Sequence, residues 1–481
     1  MRSTALSGRS TEAGLADPAN GPAGDVAVSP ADRATLTARY LDEVARSGGT
    51  EADLHAVMPS AGMLAWLYQK RYVARPLFLG RAEADQLNSD LQHVKAAMVG
   101  LPDLLYDGDL TAFARAAGLT DVQAEAALRT HTDQVTDWVR ADLYPDADGF
   151  RMLEFNMGSG IAGSEASDMT KAMLRYPLLR DFAHRNQLTC PDSAQEQIRV
   201  MLAESGYSRD SAPMIALIDW QAHYEKIGGF LHRIARRWRD MGLDTHAGHL
   251  GQLRMRNGRV LLRGQPVDII FRVFLSEHLL EPGGPELMLP VLDAVARDEV
   301  KMFTPMDSEL YGSKAPLAML SDHAKRHLFT AAQQAAIDRV LPWTRMVRPG
   351  PVMLEDGSSA DLLEHALARQ ADLVLKPTLL HGGAGVVAGW DTTEQGWRDA
   401  LNQAMGGSYV LQRRIMVIPE MCPGPDGELV PWETTWGVFT SPAGFGGVFA
   451  RAFQSQPGTV VGRIGTHLRV GGGMVGPPSP G

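Results

Sequence analysis

Apolar positions recur at helical spacing through the first part of the chain. From Ser29-Pro30, a capping serine followed by a proline suited to a first helical turn, Leu36, Tyr40, Leu41 and Val44 fall on one face. The same periodicity covers roughly 82–99 and 110–130. At 137 the texture changes. Two strand-like runs, 137–143 and 150–156, flank the turn-rich 144–149 (YPDADG), the pattern of an antiparallel hairpin. From 213 the chain alternates: an apolar run over 213–218, an amphipathic helix over about 225–241, a hairpin across Arg256-Asn257-Gly258, and a second apolar run over 267–273. That alternation predicts a small parallel sheet. A helical passage spans about 284–340, buried strands are predicted at 372–376 and 409–415, and paired β segments over 430–455.

The two ends read differently. Residues 1–28 are rich in Ser, Gly, Ala, Asp and Pro with few large apolar side chains, and are expected to form a disordered tail. The Gly/Pro-rich 471–481 is expected to be a flexible tail. With 481 residues and 44% hydrophobic content, the chain has material for about three domains.

Net charge is −10 and the pI is near 5.8, which disfavours binding to nucleic acid or an anionic membrane surface. Arg233, Arg236, Arg237 and Arg239 recur at helical spacing and read as a solvated helix face. No run of 18 apolar residues occurs. Cys190 and Cys422 sit in no metal or disulfide spacing, so a reducing cytoplasm is expected. His223, His246 and His249 lack metal-ligand companions and are read as structural.

Candidate chemistry concentrates in two places. In LKPTLLHGGAGV, Lys376 ends a strand and is followed by Gly382, Gly383 and Gly385. An ammonium beside side-chain-free backbone suits phosphate oxygens; the bland alternative is a glycine-rich surface turn. A Walker loop is absent, and the Gly383/Gly385/Ala388 spacing precedes a strand-like run rather than the helix a dinucleotide fingerprint needs. In the 137–156 hairpin, a constant-sum register pairs Arg140 with Asn156 and Asp142 with Glu154 on one face, with Leu153 and Phe155 on the other. Facing carboxylates need a cation between them, and an oxygen-only set of Asp142, Glu154 and Asn156 suits Mg²⁺; the alternative is an ordinary hairpin with a polar face.

Together LVLKP, GGAGV and YVLQRRI resemble the lysine, glycine-rich lid and adenine-side hinge of ATP-grasp enzymes. The matching carboxylate elements, RAD (140–142) and EFN (154–156), lie upstream rather than downstream, which resembles the circularly permuted ATP-grasp family that includes glutathionylspermidine synthetase. Weaker likeness in VARPLFLG, LEFNMGSG, GSKAPLAML and ETTWGVF extends it over about 65–465. Cys190 and Cys422 lack the context of an amidase cysteine, so amidase activity is not implied.

The resemblance implies a mixed α+β / α/β fold: a circularly permuted ATP-grasp with a helical N-terminal region and an inserted Rossmann-like pre-ATP-grasp domain. The units expected are 29–210 (helices plus the magnesium-binding half of the core), 211–300 (Rossmann-like substrate domain), 301–410 (lid with lysine and glycine loop) and 411–470 (hinge and remaining strands). It implies ATP and Mg²⁺ as cofactors, small-molecule carboxylate and amine substrates, and an ADP-forming carboxylate–amine ligase. Asp142, Glu154 and Asn156 would hold the metal, and Arg140 would stabilise the oxyanion. Lys314 and Lys376 would bind phosphate, although an exposed lysine at a helix start is the alternative for Lys314. Gln412 sits at the hinge, where backbone groups would meet adenine. Arg451 ends an apolar strand as a further cofactor-binding candidate, Glu433 shares a strand face with Thr435 as a candidate nucleotide or magnesium contact, and Arg272 is expected in an ion pair. A silent ATP-binding scaffold and a small-molecule kinase remain alternatives, and a homodimer is an open option.

Overall fold

The computed structural model describes residues 32–132, 134–380, 382–454 and 468–477. The expected tail at 1–28 and the capping pair Ser29-Pro30 lie outside them. The first described helix, Arg33–Ser47, is capped by Asp32, whose side chain accepts from the Thr35 amide at 2.8 Å. It buries Leu36, Tyr40, Leu41 and Val44, the face expected from spacing. Helix Arg81–Val99 matches the periodic run, whereas 110–130 divides into Leu110–Ala117 and Asp121–Leu128. The division falls at Gly118, which takes φ 103°, followed by Thr120 capping the second helix through the Gln123 amide.

A seven-stranded sheet organises the chain. Its order is Leu77–Leu79, Arg469–Val475, Gly444–Phe453, Leu429–Ser441, Val139–Asp146, Gly149–Met157, with Glu420–Pro423 paired to Leu429–Ser441. Segments from both halves of the sequence therefore share one set of hydrogen bonds. Alternation sends Ala141, Leu143, Phe155, Trp436 and Val438 into one core with Leu87, Leu91 and Val94 of the Arg81–Val99 helix. Arg140, Asp142, Glu154 and Asn156 consequently face the other way.

The strand Arg469–Val475 corrects the reading of a flexible tail for 471–475, and residues 478–481 lie outside the described residues. The strand lies between two others, parallel to Leu77–Leu79 and antiparallel to Gly444–Phe453. Its glycines serve close approach: a Cβ on Gly471 would lie 2.3 Å from the Val73 side chain, and one on Gly472 would lie 2.1 Å from Thr170 Oγ1 and 2.5 Å from the Ala166 carbonyl oxygen.

A second sheet is wholly parallel, in the order Lys301–Phe303, Ile269–Arg272, Ile215–Asp219, Thr245–His249, with helix Gln221–Asp240 as its first crossover. The expected Asn257-Gly258 hairpin joins Leu253–Arg256 to Arg259–Leu262. Lys301–Phe303 carries this sheet just beyond residue 300. A third, antiparallel sheet contains Thr344–Met346, Tyr409–Arg413, Leu373–Pro377 and Val387–Ala388, and has its own core of Trp343, Leu373, Leu375, Trp397, Leu401 and Leu411. Tyr409–Arg413 lies inside this sheet, so the 410/411 division passes through a strand. Among the described residues no helix is long and apolar enough to cross a membrane.

The packing of Gly472 against the backbone of helix Ala166–Met173 makes a direct test. Gly472→Ala is expected to lower stability by about 3 kcal/mol, because the Ala166 carbonyl cannot yield as a flexible side chain would. Urea unfolding of both proteins measures it; equal midpoints would mean that the strand does not pack against this helix.

Candidate functional site

The carboxylate hairpin has the register expected from its sequence, with Arg140 opposite Asn156 and Asp142 opposite Glu154. One residue further the register slips: Leu143 lies opposite Met152, which leaves Leu153 as the extra residue of a β-bulge. Met152 therefore joins Phe155 in the core, in the place expected for Leu153, while Leu153 is only half-buried. The bulge turns the Leu153 carbonyl to Lys376 Nζ, which donates to it at 3.3 Å.

Asp142 is almost fully covered and both of its oxygens are engaged. Arg140 Nε donates to Oδ1 at 2.8 Å and Arg140 Nη2 to Oδ2 at 3.1 Å, and Arg451 donates to the same Oδ2. The remaining prong of Arg140 reaches the Ala162 carbonyl at 2.5 Å. Gly437 makes room for this fork, since a Cβ there would sit 3.0 Å from Arg140 Cδ and 2.9 Å from the Phe449 carbonyl oxygen. Glu154 keeps 22% of its side chain exposed, with Oε2 3.2 Å from Lys314 Nζ. Asn156 Nδ2 donates to the Arg140 carbonyl at 3.2 Å, which fixes the amide and leaves its oxygen as an acceptor.

The cations come from far along the chain. Lys314 lies at the start of helix Ala315–Ser321; its amide donates to the Thr378 carbonyl at 3.0 Å and its Nζ to the Leu380 carbonyl at 3.1 Å. It is buried, so the reading of an exposed lysine does not hold. Lys376, on Leu373–Pro377, donates to Gln412 Oε1 at 2.6 Å. Arg451 projects from Gly444–Phe453, opposite Thr435, and its Nε is buried with no hydrogen-bond acceptor among the described residues. Beyond Leu380, Gly382, Gly383 and Gly385 adopt φ of 62°, 77° and 69°, the left-handed region that glycine favours. His381 lies outside the described residues.

Thus Arg140, Asp142, Glu154, Asn156, Lys314, Lys376, Gln412 and Arg451 form one connected cluster. The role expected for the Gln412 backbone is corrected. Gln412 pairs with Thr344 on one side and Val374 on the other, so its backbone lies within the sheet, and it is the side chain that enters the cluster. Arg272 is ion-paired with Glu309, as expected. Ser159, three residues beyond Asn156, donates through Oγ to the Arg272 carbonyl and so ties the hairpin to the carboxyl ends of the parallel strands. Glu433 is half-buried on the strand that carries Thr435. His223 Nδ1 lies 2.9 Å from Asp219 and His246 Nε2 2.9 Å from Asp244, and no metal-holding group of three or more His, Cys, Asp or Glu occurs among the described residues.

Sequence reading missed Leu153, Thr344 and Gly437. Only Gly437 left a local signal, a glycine inside an otherwise apolar strand, which marks close approach of another group.

Electrostatics follow from this crowding. Burial acts to raise the Glu154 carboxyl, yet the charges of Lys314 foremost, then Arg451 and Lys376, hold it well below the usual carboxylate range. For Lys376, burial and then the neighbouring Lys314 charge lower the ammonium to about 7 against the pull of Glu154 and Asp142. Burial would lower Arg451, but Asp142 and Glu154 raise it. Two lysines and two arginines around two carboxylates leave an excess of positive charge when all are ionised, which suits a polyanion.

No family model and no curated protein matches the chain. Among solved structures it is similar to a glutathione synthetase-like effector (GSS30) from Globodera pallida in its apo form, with 12% identity over 91% of this chain and 94% of that one, at a TM-score of 0.51. The likeness is one of fold. A structure from Methylobacillus flagellatus KT designated a gamma-glutamylcysteine synthetase aligns at 12% identity over 80% of this chain and 87% of that one, with a TM-score of 0.38, and says nothing of the fold.

The lowered Lys376 generates a pH prediction. With an ammonium that titrates near 7, Lys376 is mostly neutral at pH 8, and a polyanion bound against it would restore its charge. Binding of an ATP analogue should take up close to one proton at pH 8 and none at pH 6. Calorimetry in buffers of differing ionisation enthalpy measures it; buffer-independent heats at pH 8 would contradict it.

Proposed function

We propose that the chain is an ADP-forming, ATP-dependent ligase that joins a small-molecule carboxylate to an amine, in the biosynthesis of a small peptide or natural product. The observation that carries this reading is the convergence of Lys376, Lys314 and Arg451 on the Asp142/Glu154 pair. Phosphoryl transfer to a carboxylate needs charge neutralisation more than a protein nucleophile, and this cluster supplies it. The fold likeness to a glutathione synthetase-like protein is consistent with ligase chemistry. The order of elements, with the carboxylate hairpin ahead of the lysine and glycine loop, supports a circularly permuted ATP-grasp arrangement with the parallel sheet as its inserted domain.

The donor set fits Mg²⁺: Asn156 presents an amide oxygen, and Glu154 is partly exposed with one oxygen beside Lys314. Asp142 would join them on releasing a guanidinium contact. A metal held there would supply charge neutralisation for a bound triphosphate. Lys314, Lys376 and Arg451 would grip the phosphates, Arg451 through the Nε that lacks an acceptor among the described residues. Arg140 holds Asp142 and the 158–165 loop in place, with its outer N–H bonds left to face the oxyanion formed during amine attack. Both cysteines are free, in keeping with a reducing compartment.

Product analysis tests the reading. Incubation with ATP, Mg²⁺ and panels of acids and amines should release ADP and phosphate only when both substrates are present, and hydroxylamine should trap the acid as its hydroxamate. AMP and pyrophosphate would contradict the reading; ADP release with no amine and a stable phosphorylated product would make the protein a kinase.

A further inference from the structure

We propose that Gln412 is a positioning residue that presets Lys376 for phosphate, oriented in turn by Thr344. The inference rests on the reading of Lys376 as a phosphate-binding group. Its starting point is a single proton. The Thr344 hydroxyl donates to the Pro342 carbonyl at 2.9 Å, so toward Gln412 it offers only lone pairs. An amide can meet a lone pair only through its NH₂ end, and Gln412 Nε2 donates to Thr344 Oγ1 at 3.1 Å. The amide oxygen is thereby turned to Lys376, whose Nζ donates to it at 2.6 Å. Thr344, Gln412 and Val374 are direct cross-strand partners, with Lys376 two residues beyond Val374, so the backbone register of the antiparallel sheet fixes the chain of bonds.

A lysine ammonium has three N–H bonds. Gln412 takes one, and the Leu153 carbonyl, turned by the bulge, takes a second at 3.3 Å. The third is left for a ligand. Both acceptors are neutral, so they fix the side chain without cancelling the charge that a phosphate needs, as a carboxylate in the same place would. A loose lysine loses rotamer freedom when it grips a phosphate; here that freedom is lost before the ligand arrives. Gln412 is itself fully buried. Its orientation depends on a residue 68 positions away.

Calorimetric titration of the full-length protein with the non-hydrolysable analogue AMP-PNP and Mg²⁺ tests this. Gln412→Leu should bind the analogue about tenfold more weakly. Thr344→Val lets the amide turn its N–H end toward the ammonium, and should weaken binding about threefold; it carries the test if Gln412→Leu does not fold. In a Lys376→Met background, Gln412→Leu should add nothing, because the interaction it supports is already gone. Unchanged or tighter binding by Gln412→Leu would overturn the proposal, tighter binding meaning that the amide competes with phosphate. An equal loss in the Lys376→Met background would overturn it too, as the sign of a purely structural role. Failure of the wild type to bind would remove the proposed function with it, whereas wild-type binding with an indifferent Gln412→Leu removes the positioning role alone.

Discussion

Two carboxylates face each other across one hairpin, and the arrangement around them depends on neutralising that pair. Asp142 and Glu154 are adjacent cross-strand partners in a largely covered site, where uncompensated charge would cost several kcal/mol. The hairpin supplies one cation of its own, Arg140, and the rest are brought in: Arg451 from a strand some three hundred residues later, Lys314 from a helix start, and Lys376 from the third sheet. The site is therefore also a junction. Through it the seven-stranded sheet, the antiparallel sheet and, by way of Ser159 and Arg272, the parallel sheet are tied together.

In the proposed function, the groups that stabilise the carboxylates are also those that would meet a triphosphate. Such a ligand has to compete with Glu154 for Lys314 and with Asp142 for Arg451, and a divalent cation would repay the carboxylates for the loss. Lys376 differs from the others, since its two hydrogen-bond acceptors among the described residues, Gln412 and the Leu153 carbonyl, are neutral. Burial and Lys314 press on its charge, which an anion beside it would stabilise.

Much of this was legible along the chain, and what was not has common physical causes. Period-two alternation determined the faces of the hairpin, so the Asp142–Glu154 pairing followed from residue numbers alone. The bulge at Leu153 did not, because one extra residue leaves no mark on composition yet inverts the alternation beyond it. The parallel sheet was readable from alternating apolar runs and a helix, and Lys376 from a strand that ends in glycines. The backbone of Gln412 is taken up by pairing with Thr344 and Val374, and the orientation of its side-chain amide, set by a hydroxyl on another strand, leaves no mark on the local sequence. The 471–475 glycines were misread because a flexible tail and a tightly packed strand share a composition; what separates them is Val73, Thr170 and Ala166, all distant in sequence.

The central claim is that this cluster holds a metal-bound triphosphate. Crystals grown with AMP-PNP and Mn²⁺ in place of Mg²⁺ test it most directly, because manganese gives an anomalous signal. The account predicts a manganese peak within coordination distance of Glu154 and Asn156, with the phosphates in contact with Lys314, Lys376 and Arg451. Nucleotide bound elsewhere, or manganese bound away from the hairpin, would contradict it.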